Sequence, residues 1–326
     1  MLEKRKLGRD GPELTTVGFG AWAIGGPWYF GWGPQDDRAS IAAIERALDL
    51  GVNWIDTAAV YGKGHSEEVV GMAIRGRRRE DFFIATKCGR IADGDGPPRG
   101  DLRPESIRRE LEDSLRRLGV DHVDLFQIHW PDTDTGTPIE TSWETLAALQ
   151  VEGKTRWIGV SNFDVPLLER CEAVRHVDSL QPPYSLLVRH VEAEILPYCL
   201  RKEIGVICYS PMQAGLLSGK FDASRLAPDD WRRRNPLFQE PRLSRNLAFV
   251  EALRPIARHH GKTVGQVAVS WVLGHPAVTA AIVGARSPAQ VEENIEAMGF
   301  HLSQREKSEI EKAYRSIIEE RPAGGR

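Results

Sequence analysis

Residues 82–129 read FFIATKCGRIADGDGPPRGDLRPESIRRELEDSLRRLGVDHVDLFQIH. Two β-rich runs, Phe82–Lys87 and Val123–His129, bracket a segment in which Ile107, Leu111, Leu115 and Leu118 recur at helical spacing. A strand, a helix and a second strand in that order predict two parallel strands joined by a crossover helix. The unit recurs along the chain. Further β-rich runs lie at Val17–Gly20, Asn53–Asp56, Trp157–Ser161, Ser179–Gln181, Gly205–Ser210 and Ala280–Gly284, making eight in all. Ile41, Ile44 and Leu48 mark another helix, and more helical segments centre on residues 66–74, 138–151, 165–174, 191–202, 245–274 and 288–298. Thr137-Pro138-Ile139-Glu140 and Ser287-Pro288-Ala289-Gln290 read as capped helix starts, and Thr263…Gln266 and Ser303…Glu306 as capping boxes.

Eight strand–helix units predict an α/β fold, a (β/α)₈ TIM barrel with extra C-terminal helices. A doubly wound open sheet would carry a GxGxxG turn near its start, which Gly18-Phe19-Gly20 and Gly25-Gly26 do not supply. Glu3–Thr16, with Asp10-Gly11-Pro12 between two short runs, predicts an N-terminal β-hairpin that plugs the bottom of the barrel. Met212–Ser244 is long and irregular, which suits a functional or mobile loop. The tail, residues 321–326, is expected to fray.

The chain has 326 residues, 41% hydrophobic and 27% charged, ordinary usage for a globular protein. Length alone allows two domains or one large barrel. Without a linker, repeat or low-complexity block, residues 1–326 are expected to form one domain. A formal charge of −3 gives no support to nucleic-acid or anionic-membrane binding, so neither partner is expected. The start, MLEKRKLGRDGPEL, has no apolar core of a secretory signal, and no run approaches the length of a membrane span. Cys88, Cys171, Cys199 and Cys208 form no CxxC pair and His-rich spacing is absent, so no metal is expected. Free thiols suit a reducing cytoplasm. Nothing in the sequence sets an oligomeric state.

In such a barrel, chemistry gathers where strands end. Three consecutive runs end in Asp56, Lys87 and His129, and Tyr61 follows Asp56 by five residues. Singly, each has an ordinary reading: Asp56 as a helix cap, Tyr61 as a loop aromatic, Lys87 as a solvated cation, His129 as a core histidine. Together on neighbouring strand ends they suit proton delivery. An ammonium beside a phenol favours the phenolate, a carboxylate holds the ammonium, and an imidazole orients a substrate oxygen. Reduction of a carbonyl also needs hydride, which no side chain donates, so a nicotinamide cofactor is implied. Hydrolase chemistry lacks a nucleophile–base pair or two carboxylates at strand ends.

At these residues the sequence resembles the aldo-keto reductase superfamily. Gly51-Val52-Asn53-Trp54-Ile55-Asp56-Thr57-Ala58…Tyr61-Gly62, Leu118-Gly119-Val120-Asp121…Ile128-His129 and Gly153-Lys154…Arg156-Trp157-Ile158-Gly159-Val160-Ser161-Asn162-Phe163 carry the likeness. Tyr209-Ser210-Pro211…Gly215-Leu216-Leu217-Ser218-Gly219-Lys220 is similar to the general-stress-type bacterial and plant branch, to which potassium-channel β-subunits are related. The resemblance implies an NADPH-dependent reductase of aldehydes and ketones. Tyr61 would be the general acid, Lys87 would lower its pKa, Asp56 would pair with Lys87, and His129 would orient the substrate oxygen. It implies NADP(H) held by Gly20, Ala21, Trp22 and Asp56 at the mouth, and by Ser161, Asn162 and Gln181 on the carboxamide. Tyr209 would stack on the ring. Ser210, Pro211, Gly215, Leu216, Ser218 and Lys220 would follow the pyrophosphate. Gly284, Arg286, Gln290, Glu293 and Asn294 would hold the adenosine end. A nucleotide-binding regulatory subunit with negligible turnover is the alternative that the channel relatives imply.

The residues themselves add detail. Arg286 beside the helix opened by Ser287 suits a 2′-phosphate and so favours NADP over NAD, with a solvated loop cation as its ordinary reading. Ser287 and Gln290 suit either a cap or ligand contact. Arg232–Arg234 suits a solvated face or a lid, with Arg234 as the contact on the cofactor. Trp22, Trp28, Tyr29, Phe30, Trp32 and Trp130 suit either a pocket wall or ordinary packing, and the expected partner is a small carbonyl compound bound by Trp22, Tyr61, His129 and Trp130.

Overall fold

Eight parallel strands pair in chain order and close on themselves in the computed structural model, which describes residues 2–319. They are β1 (Val17–Gly20), β2 (Trp54–Asp56), β3 (Phe83–Cys88), β4 (Val123–Ile128), β5 (Thr155–Ser161), β6 (Ser179–Gln181), β7 (Gly205–Cys208) and β8 (Ala280–Gly284). Closure is made by β8 on β1, where Ala281 to Gly284 pair with Val17 to Gly20. The expected tail lies outside the described residues.

Alternation along each strand sorts the side chains. Trp54, Phe83, Ala85, Leu125, Ile207, Ala280 and Ile282 fill the lumen, while Ile55, Ile84, Phe126, Ile158, Val160, Leu180 and Val206 face outward into the larger core under the helices. The helices are α1 (Asp37–Asp49), α2 (His65–Ile74), α3 (Pro104–Leu118), α4 (Ile139–Val151), α5 (Val165–Val174), α6 (Ile195–Lys202), α7 (Arg242–His259), α8 (Val264–Leu273), α9 (Pro288–Ile295) and α10 (Gln304–Tyr314). The apolar stripe of α3 is buried as its spacing requires: Ile107, Leu111 and Leu118 are sealed from solvent. No helix of the described residues is long and apolar enough to cross a membrane.

The N-terminal hairpin forms as expected, with Lys4–Lys6 antiparallel to Glu13–Thr15. Leu7 and Leu14 from it close the lumen cluster from below. Two differences from the sequence reading concern helix ends. The segment 245–274 is two helices, broken at Gly261 and restarted by the Thr263 capping box. Thr137 does not cap α4, whose N-cap is Pro138 with no side-chain bond. Asp132 turns the chain there instead, accepting from the backbone N–H groups of Asp134, Thr135 and Thr137. The long 212–244 stretch holds short 3-10 turns, including Leu216–Ser218, Trp231–Arg234 and Pro236–Phe238.

Candidate active site

The lumen face continues upward through Asp56, Lys87, His129, Ser161 and Tyr209, two or four residues beyond Trp54, Phe83, Leu125, Trp157 and Ile207. Simple parity therefore aims all five at the top of the barrel. Register separates two of them in height: Asp56 lies beside Ala85, and Lys87 stands two residues further along β3. A long side chain is needed to span that step, and lysine supplies it.

Lys87 is buried along its whole length. Its Nζ donates to Asp56 Oδ1 at 2.7 Å, to the Thr57 carbonyl at 2.8 Å and to the Tyr61 hydroxyl at 3.3 Å. Asp56 Oδ2 accepts from Gln181 Nε2 at 2.8 Å. Burial raises Asp56 and lowers Lys87, and their contact and hydrogen bonds oppose both shifts without reversing them.

Tyr61 opens a short turn before α2. That turn is pinned at Gly62, whose φ is +61° and where a Cβ would lie 1.9 Å from the Gly25 carbonyl oxygen. Only glycine permits this approach of two loops. Ser66 ties the same turn to the rim, donating to the Ala21 carbonyl. The Tyr61 ring meets His129 edge-on with centroids 5.7 Å apart, and Trp28 lies 6.2 Å away. Burial, then the charge of Asp56, pushes the phenol well above its ordinary value. The shift is thus opposite to the lowering expected from Lys87. Burial, reinforced by Lys87 and Arg90, pushes His129 well below the usual imidazole range. The site therefore presents a protonated phenol and a neutral imidazole.

Ser161, Asn162, Gln181 and Tyr209 form one network beside this group. Ser161 Oγ donates to the Gln181 carbonyl at 2.7 Å, Asn162 Nδ2 donates to the His129 carbonyl at 3.0 Å, and the Tyr209 hydroxyl donates to Asn162 Oδ1 at 2.8 Å. Asn162 and Ser210 both hold a left-handed backbone, with φ of 63° and 56°. Such strained conformations persist only where surrounding structure enforces them.

The other expected cofactor residues line the rim. Gly20 and Gly284 pair at the ends of β1 and β8. A Cβ on Gly284 would reach only the Gly20 carbonyl and the Ala23 side chain, and one on Gly215 would meet nothing within 4 Å. These bare positions leave room for a ligand close to the backbone. Ala21 and Leu216 are buried, Pro211 is buried behind Ser210, and Ser218 Oγ donates to the Gly215 carbonyl. Lys220 Nζ bridges both oxygens of Glu293 at 2.7 and 2.8 Å. Asn294 Nδ2 donates to the Gly284 carbonyl, and Gln290 accepts from the Arg286 backbone N–H. Ser287 caps α9, while the Arg286 guanidinium has no hydrogen bond or ion pair among the described residues.

Arg234 is placed otherwise than expected of a cofactor contact alone. Its guanidinium lies 4.7 Å from the Tyr29 ring centroid and donates to the Tyr29 carbonyl. Arg232 lies over Trp32, and Trp231 packs on Trp22 at 5.2 Å. The arginine run thus joins the 231–234 turn to the aromatic loop at 22–32. Trp130 is 45% exposed beyond His129.

Sequence reasoning missed the Gln181 bond to Asp56, because 125 residues separate them and no local signal links them. It also missed Gln35, whose Nε2 donates to the Arg286 carbonyl.

The model of the aldo/keto reductase family matches residues 16–315. The chain belongs to the aldo/keto reductase family. It is 37% identical to the aldo-keto reductase YhdN of Bacillus subtilis, over 99% of this chain and 96% of that protein. It is 34% identical to the NADH-specific methylglyoxal reductase of Escherichia coli, over 93% and 95%. The glycerol dehydrogenase AKR11B4 of Gluconobacter oxydans has a similar structure, with a TM-score of 0.87, 39% identity and coverage of 99% and 98%. This aldo-keto reductase is therefore an oxidoreductase with a (β/α)₈ barrel.

Proposed function

We propose that this aldo-keto reductase uses NADPH to reduce an aldehyde or ketone to an alcohol, with Tyr61 as the general acid. Lys87 carries the reading. An ammonium has three protons and no lone pair. Its neighbours Asp56 and the Thr57 carbonyl accept two, and the third goes to the Tyr61 oxygen. The phenol oxygen is then an acceptor, and its own O–H is left to donate elsewhere.

Tyr61 holds this proton at neutral pH and gives it to the carbonyl oxygen as negative charge grows there. Lys87 stabilises the oxygen that loses the proton, and Asp56 and Gln181 keep Lys87 in place. Neutral His129 holds the substrate oxygen by a hydrogen bond. Trp22, Trp28 and Trp130 line the approach and favour substrates with apolar bulk. Ser161, Asn162, Gln181 and Tyr209 would hold the nicotinamide end, and Ser210 to Lys220 the pyrophosphate. Gly284 to Asn294 would hold the adenosine end, with the unpaired Arg286 on a 2′-phosphate. When bound, the reduced dinucleotide supplies the hydride.

Titration with NADPH and NADH, followed by a panel of aromatic and aliphatic aldehydes, tests this reading. The Escherichia coli relative is named for NADH, so the paired titration is needed. Tighter NADPH binding with aldehyde-dependent oxidation is expected. Tight dinucleotide binding with no turnover across the panel would overturn it.

A further inference from the structure

Outside the barrel, the end of α7 meets the start of α10. His259 and His260 close α7, and Glu306 sits in the first turn of α10. One donor atom from each of the three lies within 4.8 Å of the others. We propose that His259, His260 and Glu306 form a binding site for a divalent transition-metal ion of the zinc type.

Nitrogen and carboxylate oxygen are the donors that zinc accepts, and three protein ligands plus water complete a tetrahedron. Bonds of about 2.0–2.1 Å set tetrahedral ligand atoms roughly 3.3 Å apart. His260 Nε2 and Glu306 Oε1 are now 2.6 Å apart, so an ion replaces the proton between them with a small separation. The two histidine rings have centroids 5.1 Å apart, and His259 is exposed and free to turn.

Each ligand is already set for the task. Glu306 Oε2 is held by the backbone N–H and hydroxyl of Ser303, leaving Oε1 to face His260. The His260 ring is held against Phe300 with centroids 5.0 Å apart. The C-terminal end of α7 is the negative pole of the helix dipole, which favours a cation. His260 and Glu306 are 46 positions apart in the chain, so spacing in the sequence could not show the cluster, and the proposal departs from the expectation of no metal.

The ion would staple two helices that pack outside the barrel, and its expected effect is on stability. The test uses tag-free protein stripped with a chelator and titrated with Co²⁺ at neutral pH, then with competing Zn²⁺. One equivalent should bind with a visible d–d band, which Zn²⁺ abolishes. His259→Ala should weaken binding at least tenfold, and Zn²⁺ should raise the unfolding temperature of the wild type and not of the variant. Glu306→Gln should weaken binding as well. A titration with no stoichiometric end point would overturn the proposal, as would binding that His259→Ala leaves unchanged.

Discussion

The two ends of the barrel each bury a carboxylate against a cation, and they use it differently. At the bottom, Asp124 accepts from Arg79 at 2.6 Å and from the Ile84 backbone N–H at 2.8 Å. Arg79 also donates to the Phe82 and His122 carbonyls. Asp124 Oδ1 also meets the half-exposed Arg156 at 3.3 Å, and none of these partners, guanidinium or backbone, gives up or takes a proton near neutral pH. At the top, Asp56 and Lys87 make an equally short contact, but the third ammonium proton reaches the hydroxyl of Tyr61. A buried ion pair becomes chemical machinery only when one of its donors meets a group that can exchange a proton with something outside the protein.

The sharpest way to break this contrast is at Tyr61. Tyr61→Phe is expected to lower kcat by about 10²–10⁴-fold. Dinucleotide affinity, read by fluorescence, should stay within about twofold, because the phenol contributes a proton rather than a binding contact. Asp124→Asn should do the reverse. Loss of a charged hydrogen-bond acceptor costs about 1.5–3 kcal/mol of stability by denaturant unfolding, with kcat unchanged. A catalytic defect in Asp124→Asn would erase the distinction between the two ends.

Gln181→Leu sharpens the comparison from the top. It removes one hydrogen bond to Asp56 and should lower kcat about fivefold, matching a bond worth about 1 kcal/mol. The smallest effect concerns Glu110 on α3, a buried carboxyl that accepts from the Gly89 backbone N–H and has no ion-pair partner among the described residues. Burial pushes it up to about 8. Between its ordinary value of 4.5 and about 8, the folded state binds the extra proton, so Glu110 makes stability fall as pH rises through that window. Glu110→Gln should flatten this part of the curve of unfolding temperature against pH. An unchanged slope would show that Glu110 is ionised throughout.

The barrel was legible because its signals are local. Runs such as Phe82–Lys87 carry their own alternation, and the capping boxes at Thr263 and Ser303 both form. The four residues proposed for proton delivery were legible as a group because parity and strand ends place them, and Asp56, Lys87, Tyr61 and His129 do converge. What stayed hidden depends on tertiary reach. Thr137 has the residue type of a cap, yet Asp132 outcompetes it by satisfying three backbone donors at once. The direction of the Tyr61 shift depends on burial, which neighbouring residue types cannot report. The engagement of Arg234 with Tyr29 joins loops 205 residues apart.

Neutron diffraction from deuterated crystals tests the central claim most directly, because it locates the protons among Lys87, Asp56 and Tyr61. The account predicts three deuterons on Lys87 Nζ, one of them directed at the Tyr61 oxygen, and the tyrosine deuteron turned toward the open end of the barrel. A neutral amine accepting the tyrosine deuteron would contradict it.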